Sequence, residues 1–93
     1  MVSVFLEDTM SIDTIFATAI EGMAKEQAKD LKDIVHGVMA LSSPDVSIRE
    51  FRRICRPDKN GRFRNLTLRE AYEFSRVFGK NIDDVIAYGI TKS

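Results

Sequence analysis

Apolar residues in the first half of this chain recur three and four positions apart, and that rhythm restricts it to helices more than any other feature does. Ile12, Ile15, Phe16, Ala19, Ile20 and Met23 form one set, and Ala28, Leu31, Ile34, Val35, Val38 and Leu41 form a second. Each set falls on one face of a 3.6-residue helix and so marks a side that must be buried. Ser11 stands where an N-cap is needed, and Asp13 places negative charge in the first turn, where the helix dipole favours it. Between the sets, Ala24-Lys25-Glu26-Gln27 is polar yet made of good helix formers, with no Gly or Pro to mark a turn. Two readings follow: one long helix over 12–41, or two helices joined near 24–28. A single long helix would leave much of its apolar face uncovered in a monomer and would therefore favour a dimer.

The second half carries stronger punctuation. Ser42-Ser43-Pro44-Asp45 breaks the chain. Ser47 with Glu50 reads as a capping box, with Val46 and Phe51 as its hydrophobic staple. The helix this predicts runs to Arg56 and stops at Pro57, turning Ile48, Phe51, Ile54 and Cys55 inward. Asp58-Lys59-Asn60-Gly61 is a turn, because Asn-Gly readily takes positive φ, and Arg62-Phe63-Arg64 suits a short strand or an extended loop. Thr67 and Glu70 form another capping box. The helix after it is expected to bury Leu68, Ala71, Tyr72, Phe74, Ser75 and Phe78 and to end at Gly79. Asn81 caps a last helix with Ile82, Val85 and Ile86, which is expected to close at Gly89. At 93 residues the chain suits one core. The expected organisation is an N-terminal arm over 1–10 and a single helical domain over 11–93. Its class is all-α or mainly α, a small helical bundle with a short hairpin or turn near 57–65.

Several chemistries find little to work with. The lone Cys55 permits no intrachain disulfide and the lone His36 no ligand-spaced pair, so no metal site is expected. Asp58–Phe63 resembles the middle of a calcium loop. With Gly61 at its sixth position, however, the ends fall on Arg56 and Thr67, which cannot supply the required carboxylates. Gly61, Gly79 and Gly89 are single glycines and form no phosphate cradle. Asp30/Asp33 and Asp83-Asp84 have spacings common on solvated helices. No catalytic constellation emerges, so no enzyme, cofactor or catalytic residue is expected. No stretch approaches the roughly 18 apolar residues of a membrane span. The start lacks the basic region of a secretory signal, and cytoplasmic residence without membrane contact is the expectation.

Charge is distributed unevenly behind a formal net of zero. Residues 1–48 hold three lysines against eight acidic residues, whereas residues 49–80 hold ten basic residues against four acidic ones, and eight of those ten are arginine. Local field rather than net charge governs encounter with a charged partner. Arg49, Arg52, Arg53 and Arg56 follow a helical rhythm, and Lys59, Arg62 and Arg64 continue them through the adjoining turn. Guanidinium groups bind phosphate bidentately and read guanine edges. These seven are the candidate nucleic-acid-binding residues, with DNA as the expected partner and RNA as the alternative. The rival reading pairs them with acidic protein surfaces, such as Glu21, Glu26, Asp30 and Asp33 of the same chain or of a second copy, in an interaction or self-assembly module.

The stretch from Leu66 to Ile86, with its Phe78-Gly79 helix end and its Asn81-Ile82-Asp83 restart, resembles the closing helices of lambda-repressor-like (Xre-type) helix-turn-helix domains. Ser47–Cys55 resembles their second helix, the one that supports the recognition helix. The likeness spans residues 47–86, and only nine residues separate Arg56 from Leu66, where the family places its recognition helix. It therefore implies a degenerate helix-turn-helix-like bundle with that region shortened. By extension it implies a bacterial or phage transcription regulator that binds DNA as a homodimer.

Overall fold

Five helices and no strand make up the described part of the computed structural model, which covers residues 11–56 and 59–92. The arm expected over 1–10 lies outside the described residues. The first helix, α1 (Ile12–Glu26), starts where its cap predicts: the Ser11 hydroxyl accepts from the Thr14 amide at 3.1 Å. It is not one long helix continuing to residue 41. The Lys29 amide donates to Ala24 O at 2.8 Å and the Ala28 amide to Lys25 O at 3.2 Å, while Ala28 itself sits at φ +54°. That is a Schellman stop, built on alanine where glycine is the usual residue. Ala28, assigned by periodicity to the second apolar set, is instead an exposed left-handed residue. Asp30 then caps α2 (Leu31–Met39) by accepting from the Lys32 amide at 3.0 Å.

A further left-handed alanine, Ala40 at φ +49°, ends α2. Ser43 opens α3 (Pro44–Cys55), its hydroxyl accepting from the Val46 amide at 3.2 Å with Pro44 in the first turn. The helix thus starts before the Ser47–Glu50 box that sequence suggested, and Ser47 is fully buried inside it. The pattern misled because both serines precede plausible helix; Pro44 belongs at a first helical position, not in a break. The far end is as expected: Arg56, placed before Pro57, is extended at φ −142°, ψ 146°. Gly61 turns at φ +77°, and residues 62–67 run as an extended loop, neither strand nor hairpin among the described residues.

The reciprocal Thr67–Glu70 box opens α4 (Leu68–Val77), and Gly79 closes it at φ +66°, with the Lys80 amide donating to Ser75 O at 3.0 Å. Leu68 and Tyr72, expected inside, are exposed, because the buried face of α4 centres on Ala71, Phe74 and Ser75. In α5 (Ile82–Lys92), Asn81 Oδ1 accepts from the Asp84 amide at 2.8 Å. Gly89 does not end this helix but lies within it, against α1. A Cβ there would stand 2.7 Å from Ile15 O, so only glycine allows the two backbones this approach.

α1 packs on α5 and α3, α2 on α3 and α4, and α4 on α5. Phe16, Ile20, Met23, Val35, Phe51, Ile54, Phe74 and Val85 meet in one buried core. The Phe51 and Phe74 rings meet at 5.5 Å between centroids, tilted by 55°. Thr14 is buried with them and donates to Ile54 O at 2.9 Å, satisfying a last-turn carbonyl of α3 from the first turn of α1.

Candidate nucleic-acid interface

The helix carrying the arginines is fixed from behind before it offers anything outward. Phe51 and Ile54 anchor α3 in the core, and Ser47 lies 3.1 Å from His36 Nδ1 of α2. His36, half-buried, thus bonds across the α2–α3 contact. Four residues, 40–43, join these two helices. At the outer edge of the same pair Lys32 and Asp45 form an ion pair at 2.5 Å. The bond to Lys32 holds the Asp45 carboxyl below its ordinary range, and the same bond raises the Lys32 ammonium.

Facing away from this anchor, Arg49, Arg52 and Arg56 are all exposed, as are Lys59 and Arg62 in the loop that follows. Positions 45, 49, 52 and 56 fall within about one-sixth of a turn of each other at helical spacing. The other two sequence candidates stand differently. Arg53 is half-buried and donates to Glu50 Oε2 at 3.2 Å. Arg64 is held more firmly: its two terminal nitrogens donate to the two Glu70 oxygens at 3.2 and 3.1 Å, and its Nε lies 3.6 Å from Glu50 Oε1. By exposure the seven residues divide into five exposed cations, Arg49, Arg52, Arg56, Lys59 and Arg62, and two half-buried ones, Arg53 and Arg64, that bond to carboxylates of their own chain.

Sequence reasoning missed the groups that hold this arrangement. Glu70 serves twice, since its Oε1 also accepts from the Thr67 amide at 3.0 Å. Burial alone would raise its pKa, but the bonds from Arg64 and Thr67 outweigh burial and lower it. Asp13 accepts from the Leu66 amide at 3.2 Å, tying the loop to the start of α1. The i,i+3 spacing of Glu50 and Arg53 is a readable signal, whereas the Asp13, Glu50 and Glu70 contacts of the 64–66 segment cross a loop and leave no local trace. Of the acidic residues named for pairing with the arginines, Glu21 lies near Cys55, Glu26 bonds to the Tyr88 hydroxyl and Asp30 caps α2. Exposed Arg49, Arg52 and Arg56 are not buried by them.

Cys55 is buried, and its thiol is pushed up to about 12, first by that burial and then by the nearby charge of Glu21. It stays a packed thiol rather than a nucleophile at neutral pH. Among the described residues no three His, Cys, Asp or Glu side chains converge as a metal site, and no helix is long and apolar enough to cross a membrane. No protein-family model, curated protein or solved structure matches the chain.

Proposed function

We propose that the protein is a non-enzymatic nucleic-acid-binding regulator in which α2 and α3 act as a helix-turn-helix pair and α3 enters the major groove of DNA. The observation that carries this reading is the placement of Arg49 and Arg52. Both project from a helix whose opposite side is locked to α2 and the core. A helix-turn-helix needs two packed helices joined by a three- or four-residue turn, the second presenting side chains to base edges and phosphates. Residues 40–43, with Ala40 left-handed, have that length and backbone.

On this reading α3 is itself the reading helix and α2 its support, so the short segment after Arg56 replaces no missing element. Arg49 and Arg52 face the groove, while Arg56, Lys59 and Arg62 reach the flanking phosphates. Lys32 offsets Asp45, the one carboxylate on the same outer row. Affinity comes from neutralising phosphate charge, and specificity from the few arginines that reach bases. Cytoplasmic residence and a homodimer belong to the same proposal, since paired subunits address paired half-sites. The dimer no longer follows from an uncovered long helix, because α1 and α2 fold separately. Sedimentation across micromolar concentrations tests it, and a monomer throughout removes it.

The function itself is tested by titrating duplex DNA and RNA at two salt concentrations with wild type and an R49A/R52A/R62A variant. Wild type is expected to bind DNA with steep salt dependence. The variant should lose about 0.9 from the salt slope for each phosphate contact removed. Equal binding by the two proteins would sink the proposal, and preference for an acidic polypeptide over either nucleic acid would replace it with the interaction-module reading.

A further inference from the structure

Arg64 belongs to the basic loop by sequence, but its guanidinium faces the protein and keeps only 23% exposure. We propose that Arg64 is a positioning residue, which clasps the loop carrying Lys59 and Arg62 onto α3 and α4 and so sets where those two cations stand. The inference rests on the nucleic-acid reading above for its consequence, though the clasp itself can be measured in the free protein.

The geometry leaves the Arg64 fork filled from within the chain. One terminal nitrogen donates to Glu70 at 3.2 Å and to Asn65 O at 3.3 Å, the other donates to Glu70 at 3.1 Å, and Nε faces Glu50 at 3.6 Å. A phosphate would have to displace two carboxylates, of which Glu70 is only 13% exposed. The backbone is tied at the same place: the Arg64 amide donates to Arg53 O at 3.1 Å, and two residues on the Leu66 amide donates to Asp13. Arg64 thus joins the last turn of α3, the loop and the first turn of α4 in one set of bonds. Lys59 and Arg62, exposed on the same loop, are placed by it. A planar fork meeting a carboxylate through two parallel bonds is a geometry that lysine cannot reproduce, although lysine keeps the charge and still binds phosphate.

That difference provides the test. R64K and, as a control, R69K are compared with wild type on a mixed-sequence 20-base-pair duplex, with amide hydrogen exchange measured on the free proteins. R64K should bind roughly fivefold more weakly while R69K, at an exposed arginine of α4 outside the proposed binding surface, binds as wild type. Exchange at the Arg64 and Leu66 amides should rise about tenfold or more in R64K, with the amides of α1 and α5 unchanged. Wild-type affinity in R64K would overturn the proposal, because it is what a direct phosphate contact gives. So would wild-type exchange at 64 and 66, or loosening spread through the whole fold. If R64K does not fold, the Arg64 Nε–H resonance of wild type decides: it should stay in place as duplex is added, and a shift as large as that of Arg62 would refute the clasp. A wild type that binds no duplex would remove the nucleic-acid reading, leaving the exchange comparison to judge the clasp alone.

Discussion

Ala28 and Ala40 occupy left-handed backbone at φ +54° and +49°, the conformation in which a Cβ crowds the following carbonyl. Glycine relieves that contact at the cost of a more flexible unfolded chain, so Ala28→Gly should stabilise the protein by about 0.5–1 kcal/mol in a denaturant melt. Gly89 is the opposite case. A methyl there meets Ile15 O, and Gly89→Ala should cost about 1–3 kcal/mol and separate α1 from α5. Neither role could be read from sequence, since an alanine among helix formers and a glycine near a helix end point the other way. Cys55 gives a pH signature with a definite sign. Its folded thiol is raised from an ordinary 9.0 to about 12, so the stability it contributes is complete below 9.0 and declines as pH rises toward 12. A thiol reagent at pH 8 should react with native protein only as fast as the protein opens. Fast labelling in native buffer would show the site to be accessible.

At the scale of elements, the boundaries that sequence located are the ones made by local chemistry. Ser11, the Thr67–Glu70 box, Gly79 and Asn81 each act on backbone groups within a few residues, and each lies where the pattern placed it. The start of α3 was misplaced because Ser43 and Ser47 offer the same hydroxyl, and only packing assigns Ser43 to the cap and Ser47 to His36. Ser43→Ala should therefore cost about 1 kcal/mol as a lost cap. Glu70 couples two elements, closing the α4 cap and gripping Arg64. Its folded pKa lies below the ordinary 4.5, so its contribution is present above 4.5 and is lost as pH falls through the lower folded value. Acid titration of stability should show this loss in wild type, and a smaller slope in Glu70→Gln. Equal slopes would mean that the carboxylate titrates alike in folded and unfolded chains.

For the molecule as a whole, helical class and arginine clustering were legible because both are periodic in sequence. The sorting of those arginines was not, because it depends on carboxylates brought in by the fold. Two of the seven candidates turn to Glu50 and Glu70, and the five left outward lie on α3 and the loop after it. The division of α1 from α2 has the largest consequence, since it supplies α3 with a packed helix on its N-terminal side and so permits a helix-turn-helix reading. The most direct measurement is amide and arginine side-chain chemical-shift mapping during titration with duplex DNA. Shifts are expected to concentrate at positions 45, 49 and 52 of α3 and at 59–62, and to fade as salt is raised. Shifts centred instead on the exposed Leu68–Tyr72 face of α4, or none at all at low salt, would contradict the assignment of α3 as the DNA-reading helix.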